Sequence, residues 1–153
     1  MHKFKTEVLK EATYAEKGLK KLTCDCGFTY SQEIECIKIP DVMLKSVVPD
    51  GDGVVLSWDS IDGIDEYNIY RSTDGGKFEK FTKATGSSCI DYESDSAVLK
   101  YYITGSAGEN EGKKELSPIE INYFKSPTTV LDSSKDGIKL TWNSSKNAVK
   151  YRV

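Results

Sequence analysis

The chain has 153 residues, of which 38% are hydrophobic and 29% are charged, and its formal net charge is −3. This composition is typical of a soluble globular protein and is too apolar for general disorder. The negative charge argues against a nucleic-acid partner, and no apolar run reaches the roughly 20 residues that membrane insertion requires. Residues 1–10 alternate charged and apolar side chains and lack the apolar stretch of a signal peptide.

Residues 1–39 predict a small β-hairpin module. Short extended segments lie at residues 6–9, 20–23 and 30–34, and the chain turns at Cys24-Asp25-Cys26-Gly27. A helix-like charge pattern over residues 7–21 is weakened by Gly18 and by the β-branched Thr13.

Residues 40–124 predict a seven-stranded antiparallel β-sandwich. Runs of alternating apolar and polar residues are separated by turn signals such as Asp74-Gly75-Gly76, and no helical period is present. The predicted strands cover residues 42–48, 54–58, 66–71, 77–82, 88–92, 100–107 and 116–124. Seven short strands at spacings of this kind favour two packed sheets.

The alternation also divides the apolar residues between two faces. One set is predicted to form the core between the sheets, with Tyr101 as a corner tyrosine. The members of this set are Leu56, Trp58, Tyr67, Ile69, Tyr101 and Ile103. Tyr70, Phe81 and Tyr102 fall on the opposite parity and are predicted to be exposed, where their rings could stack on sugars.

An internal repeat organises the second half of the chain. Residues 52–60 (DGVVLSWDS) recur as residues 136–144 (DGIKLTWNS), and Tyr67-Asn68-Ile69 recurs as Tyr151-Arg152-Val153, both 84 residues later. Both tryptophans of the chain occupy the repeated position. Residues 125–153 are therefore predicted to begin a second copy of the unit. So short a segment cannot close a core, so we expect the chain to be part of a longer repetitive protein, in which a signal peptide could lie elsewhere.

Several motifs of the central unit, residues 40–124, resemble those of a fibronectin type III domain, of the kind common in extracellular proteins of Gram-positive bacteria. The motifs that carry the resemblance are VLSW at 55–58, GIDEYNIYR at 63–71, DGGKF at 74–78, CIDY at 89–92, YYITGSA at 101–107 and LSP at 116–118. The resemblance implies an Ig-like sandwich and an extracellular or cell-surface location.

Residues 2–36 resemble a short bacterial surface-protein repeat. The matching residues are His2-Lys3-Phe4, Ala12-Thr13-Tyr14, Gly18, Cys24-Asp25-Cys26-Gly27 and Ile34. Tyr14 stands where that repeat has cysteine, and the cysteine pair is Cys-x-Cys instead of Cys-x-x-Cys.

The cysteines leave three interpretations open. His2, Cys24, Cys26 and Cys36 could supply the four ligands of a zinc site, because zinc prefers thiolate and imidazole ligands. Alternatively, Cys24 or Cys26 forms a disulfide with Cys36 and staples the small module, or the thiols remain unpaired. Cys89 falls on a predicted strand and is expected to be a small buried apolar residue.

No catalytic machinery is expected, and neither a cofactor nor a bound metal, although the zinc alternative stays open. The single histidine, His2, stands at the chain start, so the sandwich cannot assemble a Ser–His–Asp or Cys–His arrangement. Residues 41–125 carry a net charge of −7. Five of their aspartates flank the Trp58 strand, and calcium favours such oxygens, but residues 50–53 lead straight into a strand and no Glu occupies the twelfth position of an EF-hand loop. The five aspartates are Asp50, Asp52, Asp59, Asp62 and Asp65.

Two functions of different classes follow as expectations. The first is a non-catalytic spacer or presentation module of a larger bacterial extracellular or cell-surface protein, whose partners are other domains of the same polypeptide. The alternative is a module that binds carbohydrate, such as a cell-wall or plant polysaccharide, or a host or partner protein. It would use the exposed aromatic residues or the free sheet edges.

Overall fold

The computed structural model describes residues 2–51, 53–95, 97–115, 117–146 and 148–153. Strands make up 55% of the chain, and the described residues contain no helix, so the predicted all-β class is confirmed. Within these ranges no helix is long and apolar enough to cross a membrane. Asp52 and Leu116, which belong to the calcium alternative and to the last predicted strand, lie outside the described residues.

The N-terminal module is a three-stranded antiparallel sheet. Its strands are β1 (Phe4–Lys10), β2 (Gly18–Cys24) and β3 (Thr29–Ile34), in the order β1-β2-β3. Each contains one of the predicted extended segments. Gly18 is required where the chain enters β2, because a Cβ atom there would lie 2.6 Å from the carbonyl oxygen of Lys10.

Two antiparallel sheets follow. The first has the order β4-β5-β8, with β4 at Leu44–Asp50, β5 at Gly53–Trp58 and β8 at Ser88–Asp91. The second has the order β10-β9-β6-β7, and β11 also pairs with β9. Its strands are β6 (Glu66–Thr73), β7 (Glu79–Ala84), β9 (Ala97–Ala107), β10 (Asn110–Glu111) and β11 (Ile119–Tyr123). The two-residue β10 is absent from the sequence prediction, and β4 continues through Pro49 to Asp50, whereas the predicted strand ends at residue 48.

The core lies between these sheets. All six residues predicted to form it are buried there, with Val54, Leu99 and Tyr123 beside them. Trp58 from the first sheet meets Tyr67 from the second, with ring centroids 5.5 Å apart. The Trp58 indole Nε1 donates to the Gly86 carbonyl oxygen at 3.0 Å, and the Tyr67 hydroxyl accepts from the Ile61 amide at 2.7 Å. The polar groups of both large side chains, the indole N–H and the phenol hydroxyl, are thus hydrogen-bonded within the core.

The C-terminal segment repeats this local structure. β12 (Thr129–Ser134) and β13 (Gly137–Trp142) form a hairpin that corresponds to β4 and β5. Trp142 and Tyr151 lie 5.7 Å apart at 53°, against 5.5 Å and 53° for Trp58 and Tyr67. The Tyr151 hydroxyl accepts from the Ser145 amide at 2.6 Å, as Tyr67 does from Ile61. The repeated sequence therefore produces a repeated fold element.

The two copies differ in burial. Trp58 is 2% exposed, whereas Trp142 is 39% exposed, and the apolar residue that opens the strand changes from 0% at Val54 to 74% at Ile138. The first copy has an opposing sheet and the second has none among the described residues, so the same side chains contribute to a core only in the first.

This contrast gives a matched pair of substitutions. Trp58→Ala removes a buried indole and should lower the free energy of unfolding of the sandwich by about 3–5 kcal/mol. Trp142→Ala removes a partly exposed indole and should change the free energy of unfolding of the sandwich by less than about 0.5 kcal/mol. Urea denaturation of the full chain, followed by circular dichroism, measures both. Equal losses in the two variants would contradict the structure.

Candidate functional site

A thiol and imidazole cluster lies where β2 turns into β3. Phe4 pairs with Cys24 across β1 and β2, which brings His2 beside the turn. The His2 Nδ1 atom lies 3.2 Å from the Cys24 Sγ atom. The ligand atoms of His2, Cys24 and Cys26 all lie within 4.8 Å of one another. Cys24 is buried, and the other two are exposed. A hydrogen bond with Cys24 and one with the Phe28 backbone lower the pKa of the Cys26 thiol.

Cys36 lies apart from this cluster, so the four residues considered as zinc ligands do not come together. In the β2–β3 register Gly18 faces Ile34, so Cys36 lies beyond the opposite end of the sheet from Cys24. The Ile37 amide bonds the Thr13 carbonyl oxygen there, at 2.9 Å. Six strand residues separate the two ends, or about 20 Å. A disulfide needs Cα atoms roughly 4.4–6.8 Å apart, so the alternative of a bond to Cys36 is excluded, and all four cysteines are free thiols.

The aromatic face predicted to be exposed is covered instead. Tyr70 and Tyr102 are 7% and 3% exposed, and their rings stack 4.5 Å apart at 9°. Phe78 packs edge-on against Tyr102 at 4.8 Å. Phe81 is half-buried beneath the Arg71 guanidinium, whose Cζ atom lies 4.4 Å from the ring centroid. The expectation that Tyr70 and Tyr102 are exposed is therefore wrong, because the hairpin after β6 and the strand β10 cover this face.

Glu111 of β10 anchors that cover. Its Oε1 atom accepts hydrogen bonds from Asn68 Nδ2 at 2.9 Å, from the Tyr70 hydroxyl at 2.6 Å and from Thr104 Oγ1 at 2.6 Å. Burial alone would raise the pKa of Glu111, but the hydrogen bonds outweigh it and lower the pKa to about 2. The carboxylate is thus held ionised and serves to fasten β10 to β6 and β9.

A second carboxylate network lies inside the sandwich. Asp91 is 0% exposed, and its Oδ2 atom accepts from Arg71 Nη1, from Ser94 Oγ and from the Tyr101 hydroxyl, each at 2.7 Å. Its Oδ1 atom accepts from the backbone amides of Glu93 and Ser94 at 2.9 and 3.2 Å. Burial alone would raise the pKa of Asp91. The hydrogen bonds from Arg71, Ser94 and Tyr101 outweigh burial, so the pKa lies below its ordinary value. Both oxygens are engaged, which suits a structural anchor better than an acid–base group.

The four described aspartates that were considered for calcium, Asp50, Asp59, Asp62 and Asp65, belong to no metal-site cluster. The described residues contain one group with the geometry of a metal site, and it is the His2–Cys24–Cys26 cluster. Asp59 instead forms an exposed ion pair with Lys45 at 2.6 Å.

The sequence did not reveal that Tyr14 joins the N-terminal module to the sandwich. Its ring packs on the sandwich core, and its carbonyl oxygen accepts from Asn110 Nδ2 at 2.8 Å. A Cβ atom at Gly63 would lie 3.2 Å from the Tyr14 ring. A cleft of about 760 Å³ runs along this joint between Tyr14, Ile37 and Lys83. The one available signal was the departure at Tyr14 from the surface-repeat pattern.

No protein-family model matches the chain, and no curated protein does.

The Glu111 network predicts a pH-dependent stability. Since the folded pKa lies near 2, below the ordinary value of 4.5, the stabilisation is present above about pH 5 and is lost as the pH falls towards 2. Glu111→Gln should therefore lower the free energy of unfolding by up to about 3 kcal/mol at pH 7, and the difference from wild type should shrink below pH 4. Glu120→Gln, which removes only an exposed pair with Lys100, is the control. A Glu111→Gln deficit that stays constant from pH 7 to pH 2.5 would contradict the assignment.

The Asp91 network predicts a large cost for a nearly isosteric change. Asp91→Asn leaves Arg71 unpaired and places an amide where donors converge, so unfolding should require about 2–4 kcal/mol less. Asp59→Asn removes an exposed pair and should cost less than about 0.5 kcal/mol. Guanidinium denaturation at pH 7 compares the two, and a similar effect of both would show that the buried pair is not an anchor.

Proposed function

We propose that the chain is a non-catalytic spacer, a presentation module that holds other domains of a larger bacterial extracellular or cell-surface protein at a fixed distance. The observation that carries the proposal is that the chain enters and leaves the sandwich at opposite ends. The partners are accordingly other domains of the same polypeptide.

The entry end is marked by the residues that precede β4. Ile39 and Val42 pack beside Gly105 near the end of β9, where a Cβ atom would lie 3.3 Å from each of them. The exit end is marked by Tyr123, which closes β11 opposite Ala97, the first residue of β9. Gly105 and Ala97 are eight residues apart in one strand. At the usual rise this is about 26 Å, which approaches the length of the sandwich.

The two joints differ in strength. At the entry end the partly buried Tyr14 ring packs on the core and the Tyr14 carbonyl oxygen accepts an exposed hydrogen bond from Asn110, so the N-terminal module is held by an apolar contact as well as a polar one. At the exit end, Lys146 of the C-terminal segment reaches Asp74 at 3.2 Å, with both side chains exposed. An exposed pair contributes about 0–1 kcal/mol, so this contact by itself holds the C-terminal segment weakly. We expect the entry joint to be the stiffer of the two.

The resemblance to fibronectin type III domains supports the same function. Two packed antiparallel sheets and a bonded tyrosine, Tyr101, are features of Ig-like sandwiches. Tandem sandwiches form extended arrays when the chain enters and leaves each domain at opposite ends. The 84-residue repeat supplies the tandem copy.

The alternatives have less support. Sugar binding through Tyr70 and Tyr102 would need the rings that Phe78 and Glu111 cover. Catalysis would need reactive groups in the sandwich, where the Asp91 and Glu111 carboxylates are engaged in structural bonds.

NMR relaxation tests whether the unit is stiff. Amide ¹⁵N relaxation in β2 and in β9 should report the same rotational correlation time, because both belong to one body. Tyr14→Ala should shorten the time reported by β2 and leave that of β9 nearly unchanged. Tyr92→Ala, an exposed tyrosine of the sandwich, is the control and should change neither. Independent tumbling of the module in the wild-type chain would refute the spacer proposal.

A further inference from the structure

The cluster at the β2–β3 turn has the side chains of a metal site, and their ligand atoms lie close enough together to bind one ion. We propose that His2, Cys24 and Cys26 bind one Zn²⁺ ion through the His2 Nδ1 atom and two thiolates, with water in the fourth position. This site is independent of the spacer function and lies at the outer end of the N-terminal module.

The distances fit a zinc ion. With Zn–S bonds of about 2.3 Å and Zn–N bonds of about 2.0–2.1 Å, tetrahedral geometry separates a nitrogen and a sulfur ligand by about 3.6 Å and two sulfurs by about 3.8 Å. The His2 Nδ1 atom lies 3.2 Å from the Cys24 Sγ atom. The remaining separations are within 4.8 Å. Rotamer adjustments of about 1 Å at the two exposed side chains would close the site.

The local fold holds the ligands in place before any metal arrives. Cys24 is fixed by its backbone, whose amide donates to the Phe28 carbonyl oxygen at 2.7 Å and whose carbonyl oxygen accepts from the Gly27 amide at 2.8 Å. Gly27 has φ +91°, a conformation that favours glycine and allows this tight turn. The Cys26 amide also points at the Cys24 Sγ atom, at 3.4 Å. An N–H donor to a thiolate ligand orients the sulfur and stabilises its charge.

Two thiolates and one imidazole make a thiophilic set. Thiolates select zinc or copper(I) over calcium and magnesium, and two thiolates neutralise the charge of Zn²⁺. Three protein ligands leave the fourth tetrahedral position to water, and His2 and Cys26 are exposed to solvent. The turn therefore presents an open metal site to solvent instead of a closed structural one.

Metal analysis of the full chain tests the proposal. The reduced protein is dialysed against buffered zinc chloride, and bound zinc is measured by mass spectrometry. Wild type and the matched control Cys36→Ser should each hold about one zinc per chain. Cys26→Ser and His2→Ala should bind at least about 100-fold more weakly, since loss of an outer-sphere partner alone costs 10–100-fold. Both residues are exposed, so neither change threatens folding.

Alkylation with iodoacetamide gives a second readout that does not depend on metal counting. Zinc should protect Cys24 and Cys26 and leave Cys36 reactive, and a chelator should abolish the protection of Cys26. Cobalt(II) should give the visible bands of a tetrahedral thiolate complex, and cobalt(II) bands that are the same in Cys26→Ser as in wild type would contradict the proposed ligands. Less than about 0.1 zinc per chain, equal loss of zinc in Cys36→Ser, or a Cys24–Cys26 disulfide in the purified protein would each overturn the proposal.

Discussion

The contact between Trp58 and Tyr67 is the constraint on which the rest of the structure depends. It joins the two sheets. The Tyr67 hydroxyl also accepts a hydrogen bond from the Ile61 amide, so the connection between β5 and β6 is fixed as well. Ile64 of that connection packs with Ile39 and Val42 against Gly105. The entry end of the sandwich is therefore a rigid surface, and the N-terminal module docks on it through Tyr14. A spacer needs such a joint, because a flexible one would not transmit direction from one domain to the next.

The second copy separates what a local sequence determines from what a fold determines. Trp58, Tyr67 and Ile61 form an aromatic corner in the first copy. The corresponding residues of the second copy, Trp142, Tyr151 and Ser145, reproduce its distances within 0.2 Å. Their geometry is a property of a few neighbouring residues. Stability is not, because Trp142 and Ile138 keep much of their surface in water, and the hydrophobic contribution scales with the apolar area removed from it. A corner of this kind is stabilised only when a second sheet closes over it.

Sequence alternation predicts the strands and the six central core residues, because one face of each strand must be apolar. The same rule fails at Tyr70 and Tyr102, where both faces of the sheet are covered. The cover comes from Phe78 and from Glu111, which is forty-one residues from Tyr70 along the chain, and a two-residue strand leaves no periodic signal. Of the four residues considered as zinc ligands, His2, Cys24 and Cys26 lie together, and the register of β2 and β3 places Cys36 apart from them, a separation that the spacing along the chain does not reveal. The docking of Tyr14 depends on a contact between modules, which no local pattern encodes.

Amide hydrogen exchange compares the two corners most directly. The Ile61 and Ser145 amides donate to equivalent tyrosine hydroxyls at 2.7 and 2.6 Å, so their hydrogen bonds are locally alike. If closure by the second sheet provides the stability, Ile61 should exchange at least about a thousandfold more slowly than Ser145 after correction for intrinsic rates. Equal protection of the two amides would contradict this account, because it would mean that the corner is stable without the opposing sheet.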